Sequence, residues 1–574
     1  MNMKKILFLL AAALLCVSCE DFLDTENLTK KDTTNFPKSA TDAEQMISGI
    51  YSTLNTAISN TDRNYYFVSE LASDDRFGGG GENDKSMQAS DKLMNSEPDM
   101  YNSFWSARYK GINRANMSLE TLDNCEVDAA TLNKYKGESH YLRAFFYHEL
   151  AEMFGEVPLL LTTVAMNIPR TNIDLIYGQI AYDLKQAITL LPATKYNTVE
   201  SGHATKWAAE ALMARVFLFY TGFYGKADMP LGDGTGEANA GSITKQEVIS
   251  WIDDCVANSG HGLINDFRRI WAYSNQYTAP DYDYVKDLAD AGNTWVVDGT
   301  GNQEHVFVIK CSKMADWGTI SGYANLYVLF SGMRGENGTE KTFPFGVGWG
   351  GGPVTPNLWE DWVKAEPNDM RREASIVNVT TDYPEYKWGS DSQVEDAGYW
   401  TKKFTPIRAY DSDGTLMNTF ASLQWNIPSD DYQLGHAQDH PVIRFADVLL
   451  MQSELKGDAE GLNKVRARAG LPAKAYSLDA LKNERRFELA FEGRRWADIR
   501  RWGDAPAALA KQQGVSIKNR GVDDVMRAFG GGYAKRYEET KGFFPLAKSE
   551  LDLSEGVLEQ NAGWGISNAE YPGW

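Results

Sequence analysis

Apolar residues recur along the first half of the chain at spacings of three and four, the period of helices with one buried face. Between residues 41 and 57, Ala43, Met46, Ile47, Ile50 and Leu54 share one stripe. Asp42 and Glu44 stand in its first turn, where acids suit the positive end of a helix dipole. The same period predicts helices over 101–122 and 129–154, with amphipathic segments beginning at Gly137, Ile176 and Ala208 and only short loops between them. Helical patterning returns over 442–500. There Ala480, Glu484, Phe487 and Phe491 fall on one stripe, with Ser477 as N-cap and Gly493 as the break before a turn carrying Trp496, Ile499 and Trp502.

That last stripe is apolar except for Glu484, and Glu488 lies beside it. A carboxylate facing a core must be paired. Arg485, Arg486, Arg494, Arg495, Arg500 and Arg501 stand within reach, nearly balanced by Glu484, Glu488, Glu492, Asp498 and Asp504. A nucleic-acid patch would leave its positive charge uncompensated, so an internal ion-pair clamp is expected, built on Glu484, Arg485, Glu488 and Arg495.

Between residues 263 and 439 the helical period fades, glycine and proline cluster over 343–356, and a strand-like run appears at 305–310. This third holds nine of the sixteen tryptophans: Trp271, Trp295, Trp317, Trp349, Trp359, Trp362, Trp388, Trp400 and Trp425. Aromatic-rich loops on a rigid scaffold point to a binding region. The competing use of such residues is to pin long loops to the scaffold.

At the start, Lys4 and Lys5 precede ten apolar residues, 6–15, followed by Cys16 and Cys19. The apolar run is too short to span a membrane and reads as a secretory signal. Val17 and Ser18 supply the small residues that lipoprotein processing needs before a cysteine, although Cys16 stands where a leucine is usual. The remaining cysteines, Cys125, Cys255 and Cys311, are odd in number and widely spaced, which suits buried thiols. The formal charge of −21 argues against nucleic acid and anionic surfaces as partners. The expected division is a signal over 1–18, a helical scaffold over 19–262, a loop-rich insertion over 263–439 and a closing helical segment over 440–574.

Signatures of catalysis are fragmentary. Residues 79–86, GGGENDKS, fall one residue short of a phosphate loop and place Asp84 where a glycine must precede the lysine. Gly346, Gly348 and Gly351 have a dinucleotide spacing, but Pro353 and Pro356 are expected to forbid the helix that must follow. His148-Glu149 starts a metalloprotease-like string that Glu152 interrupts, and His436 and His440 sit around Gly435 and Pro441. Asp411 and Asp413, and Asp281 and Asp283, are at most fragments of calcium sites. No cofactor is expected, structural calcium apart. Paired carboxylates leave a surface glycoside hydrolase as the enzyme-class alternative.

Residues 483–504, NERRFELAFEGRRWADIRRWGD, resemble the C-terminal signature of the SusD/RagB family, nutrient-binding lipoproteins of the Bacteroidetes outer membrane. HPVIRFADVLLMQSEL from His440, GLNKVRARAGLP from Gly461 and FFPLAKSELDLSEGVLEQNAGW from Phe543 resemble the motifs around it, in the same order. NFPKSATDAEQMISGIYSTL resembles the first helix of the family. CEDFLD resembles its mature N-terminus, which favours Cys19 as the lipidated residue and implies export to the outer leaflet. The ending of the Ala208 segment, from Tyr220 to Ala227, is similar to the first helix of a tetratricopeptide repeat.

The resemblance implies a mainly α, tetratricopeptide-like superhelix with a loop-rich insertion. It implies a surface lipoprotein that binds an oligosaccharide, or a peptide as in one branch of the family, and passes it to a SusC-like TonB-dependent transporter. Sugar rings pair apolar faces with a rim of hydroxyls, so loop aromatics are the candidate platforms. Trp317 and Tyr323 flank a glycine-containing break, and Trp349 lies in the glycine run 346–352. Asp74, Asp75 and Arg76 complete the candidate set, because the N-terminal loop lies near the ligand face in SusD-like proteins.

Overall fold

The computed structural model describes residues 36–55, 63–198, 201–297, 302–311, 324–427, 430–527, 529 and 531–565. Cys16, Cys19, Trp317 and Tyr323 lie outside the described residues. Long helices follow one another through the first half: Ala40–Tyr51, Asn102–Thr121, Ala129–Phe154, Ile173–Leu190, Lys206–Phe223 and Lys245–Asn258. Side chains at Ser39, Asp128, Asn172, Thr205 and Thr244 accept first-turn N–H groups, and Ser39/Asp42 and Thr244/Glu247 close capping boxes.

The first helix ends earlier than its apolar stripe predicts. Ser52 and Thr53 turn their hydroxyls back onto the Gly49 and Ile50 carbonyls, offering the chain an alternative to the next helical turn. Arg114 and Arg108, on the neighbouring helix, donate to the Gly49 and Thr53 carbonyls.

Each of the helices from Asn102 to Asn258 packs on its successor in sequence, giving the tetratricopeptide-like stack. The Ala129–Phe154 helix sits at its centre, buried on nearly every side from Gly137 onward. Two of its buried charged residues are paired with neighbouring helices. Arg143 grips Asp183 through two hydrogen bonds of 2.8 and 2.7 Å, and Arg108 takes Glu149 at 2.5 Å. Burial alone would raise the Asp183 carboxyl, yet Arg143 and His140 hold it down to about 2.

After the middle third the chain returns. The Phe445–Lys456 helix packs on Lys245–Asn258, then on Glu460–Arg468 and Leu478–Glu488, and so extends the stack. A strand pair stitches the middle to this return, His305–Ile309 running antiparallel to His440–Arg444 with Ile309 opposite His440.

The middle third itself consists of short helices, 3₁₀ turns and hairpins. Its tryptophans mostly pin these loops. Trp271, Trp362 and Trp400 are buried, Trp362 stacks on Phe487 at 4.6 Å, Trp359 stacks on Tyr399, and Trp295 meets Trp425 edge-on. A helix does begin at Pro356, contrary to expectation. Thr355 caps it and proline occupies the first turn, where its missing N–H costs nothing.

Candidate ligand-binding site

A cavity of about 940 Å³ is walled by residues 83–87, 334–337, 347–349 and 390–391, with Tyr432 on its lining. Among the described residues its one tryptophan is Trp349. The mount for that side chain comes from the end of the Leu326–Ser331 helix, whose last carbonyls need partners. Trp349 and Gly351 donate backbone N–H groups to the Leu329 and Phe330 carbonyls at 2.9 and 2.8 Å. Gly348 and Gly350 donate to Met333 and Gly332 just beyond, at 2.6 and 2.8 Å.

Such close strand-on-helix contact leaves no room for side chains on either side of the tryptophan. A Cβ on Gly348 would stand 2.5 Å from the Gly332 backbone. One on Gly350, at φ +73°, would meet the Gln393 amide oxygen at 1.9 Å. Trp349 then packs edge-on against Phe330, centroids 4.8 Å apart, and stays partly exposed. The glycine run is thus a rigid mount rather than a loose loop.

Arg334 ties the walls together. One of its terminal nitrogens donates to an Asp84 carboxylate oxygen and to the Trp349 carbonyl, both at 2.8 Å, and its Nε donates to the Asp391 carbonyl at 3.0 Å. The same Asp84 oxygen accepts the Gly81 N–H at 2.6 Å. The acid that disqualifies 79–86 as a phosphate loop is therefore the anchor of Arg334. Asp391 and the adjoining Ser392 hold left-handed backbone, φ +52° and +60°, at this rim. Arg63 pairs with Glu97, so much of the ionic lining is matched within the wall. Asn83, Asn337, Ser96, Ser390 and Tyr432 add amides and hydroxyls around one aromatic face. That combination suits a ligand with an apolar face and a hydroxyl rim.

Of the residues expected to touch ligand, Trp349 lines this cavity. Trp317 and Tyr323 lie outside the described residues. Asp74, Asp75 and Arg76 do not line it; they are 4%, 1% and 0% exposed and turn inward. Arg495 takes both Asp74 oxygens at 2.7 and 2.8 Å, Arg486 bridges Asp75 and Asp361, and Arg76 reaches Ser331 and Glu70. Burial opposes ionisation of Asp74, but Arg495 and Arg486 hold its carboxyl well below the usual range. The N-terminal loop is consumed in neutralising the C-terminal arginines.

The clamp also departs from expectation in its partners. Glu484 binds Arg371 at 2.7 Å and Arg466 at 2.9 Å, while Glu488 binds Arg371, Arg444 and Arg468. None of these is an arginine of the 483–504 run. Arg485 pairs with Asp447 and Asp498, and Arg501 with Glu454 and Asp498, because side chains adjacent on the same helix point to different neighbours. The helix also stops at Glu488, and Phe491 has φ +69°, so the stripe ends one turn sooner than its spacing suggests.

Among the described residues no group of three His, Cys, Asp or Glu side chains could hold a metal. His440 packs against Tyr66, Tyr327 and Phe404, and burial pushes it down to about 3. An Asp411 oxygen accepts N–H groups of its own turn, from Asp413 and Thr415. Cys255 is buried, and Cys125 and Cys311 are half-buried; all three are free. Arg334 and Tyr432 carry no sequence signature. Asp84 was visible only as a fault in another motif.

A family profile described as starch-binding and associating with outer membrane matches residues 21–218, and one described as SusD family matches 281–564. Two SusD-like proteins of Formosa agariphila are similar throughout. One is 22% identical over 536 residues (85% of this chain, 88% of that one), the other 24% identical over 502 residues (81% and 84%). A laminarin-binding SusD-like protein superposes with a TM-score of 0.67 at 24% identity, over 94% of this chain and all of its own. Surface glycan-binding protein A from Bacteroides thetaiotaomicron in complex with laminarihexaose does so at 0.67 and 19% identity, over 91% and 100%. With the helical scaffold matched by one profile and the middle and C-terminal segments by the other, the chain belongs to the SusD/RagB family.

Proposed function

We propose that this protein is a cell-surface glycan-binding lipoprotein, held on the outer membrane by lipid at Cys19, that hands an oligosaccharide to a SusC-like TonB-dependent transporter. The observation that carries the reading is the Trp349 mount. An aromatic side chain fixed by a helix end, in a cavity of about 940 Å³ among amides and hydroxyls, suits the stacking face and hydroxyl rim of a sugar. Family membership and relatives whose names record laminarin or glycan binding support the same ligand class. The reading is one of capture without turnover.

Calorimetry against purified polysaccharides, their oligosaccharides and peptides tests it. A glycan is expected to bind, and Trp349→Ala to weaken it by about 1–3 kcal/mol, the scale of one lost aromatic stack. Trp317→Ala and Tyr323→Ala are expected to weaken it likewise if their side chains reach the same ligand. Binding of peptides alone, release of shorter sugars, or full affinity in Trp349→Ala would each overturn a stated part of this reading.

A further inference from the structure

A second cavity, of about 210 Å³, borders the first at Lys85. On the 82–92 segment, Asn83, Ser86 and Met87 face the Trp349 cavity while Glu82, Gln88 and Lys92 face the second, and Lys85 borders both. The 390–395 segment divides in the same way. Ser390 and Asp391 line the first cavity, Val394 and Glu395 the second. Two chain segments therefore contribute residues to both openings.

The second opening has its own combination of apolar surface and fixed polar groups. Buried Ile517 and Met526 contribute apolar surface, with partly buried Phe529 beside them. Lys92, only 3% exposed, reaches into the lining and is fixed there by Glu395 at 2.7 Å and Asp91 at 3.1 Å, with its ammonium 5.6 Å from the Phe529 ring centre. Asn519 and Asp524, joined by a 2.8 Å hydrogen bond, add an amide and a carboxylate from the hairpin of Ser516–Asn519 and Val522–Val525. On that hairpin Val525 also lines the cavity, yet its side chain stays 48% exposed, an apolar surface left open beside it. The volume is below the range of about 300–1,000 Å³ in which independent small-molecule sites fall, so the opening suits an extension of a longer ligand better than a ligand of its own.

We infer that the second cavity is an outer subsite for the same glycan: an oligosaccharide seated on Trp349 continues past Lys85 and places a further sugar over Lys92 and Phe529. This rests on the glycan reading given above. Its consequence is that affinity depends on chain length beyond the length the Trp349 cavity accommodates.

Calorimetry of the full chain with size-defined laminari-, malto-, xylo- and manno-oligosaccharides, from disaccharide to octasaccharide, reads this directly and needs no mutant. In the series that binds, affinity is expected to rise in two steps, the second on the order of tenfold, which corresponds to about 1.4 kcal/mol. Val525→Trp, which fills the second cavity from an exposed strand, is expected to abolish the second step and leave the short sugars unchanged. Arg520, at the exposed hairpin turn, also lines the second cavity, so Arg520→Ala serves as an independent variant and is expected to reduce the second step. A single plateau in the wild type, or a second step intact in both variants, overturns the subsite while leaving the Trp349 site standing. Binding of none of these sugars at any length overturns the glycan reading and the inference together.

Discussion

Replacing Glu488 by glutamine removes one charge from the centre of the C-terminal clamp at almost constant volume. The side chain is 0% exposed and receives Arg371 and Arg444 at 2.9 Å and Arg468 at 2.5 Å. Burial would push its carboxyl up, yet Arg468, Arg444 and Arg371 hold it well below the usual range. Breaking a buried pair by removing one partner costs about 3–5 kcal/mol. Three independent pairs would sum to more, but each arginine keeps another acid. Arg371 retains Asp369 and Glu484, Arg444 retains Glu304 and Glu492, and Arg468 retains Glu304. The expected loss for Glu488→Gln is therefore near the lower limit, about 3 kcal/mol. That is a large share of the ~5–15 kcal/mol typical of folded domains.

Urea unfolding followed by tryptophan fluorescence measures it as a lower midpoint at unchanged slope. Glycan affinity of the folded fraction is expected to stay at the wild-type value, because Glu488 does not line the Trp349 cavity. An unchanged midpoint with lost binding would refute the structural role and move the clamp into the site.

Cys19→Ala is expected to leave the membrane fraction while remaining folded, and wild type gently solubilised from native membranes is expected to retain a barrel transporter. A mutant still membrane-bound, or wild type recovered alone in repeated preparations, counts against the anchor or the partnership. Stability is also expected to peak in mildly acidic solution. Asp183, depressed to about 2 by Arg143 and His140 against burial, contributes stability above its unfolded pKa of about 3.8 that is lost as pH falls towards 2. In the other direction, burial pushes Glu70, Asp91 and Glu149 up to about 7. The native state therefore holds their protons longer than the unfolded chain, and stability falls between about pH 4.5 and 7 as they ionise. A urea midpoint that climbs steadily from pH 5 to 8 contradicts this assignment.

The helical scaffold was legible in the sequence because its signal is local. Ser39, Asp128 and Thr205 cap within a few residues of their own backbone, and the apolar period of three and four is set by helix geometry alone. The strand at 305–309 was equally legible, but its partner at 440–444 was not, since no local pattern encodes a pairing across more than a hundred residues. Charge was legible as balance and not as pairing. That Glu484 and Glu488 need partners follows from burial, whereas the choice of Arg371, Arg444, Arg466 and Arg468 over their own neighbours depends on which helices meet. Asp74, Asp75 and Arg76 looked like a charged loop open to ligand, and tertiary contact with Arg486 and Arg495 closed it. Trp349 was legible as an aromatic in a glycine run. Its rigid mount was not, because the carbonyls of Leu329 and Phe330 that hold it, and Arg334 that ties it to Asp84 and Asp391, are brought together only when the chain folds back on itself.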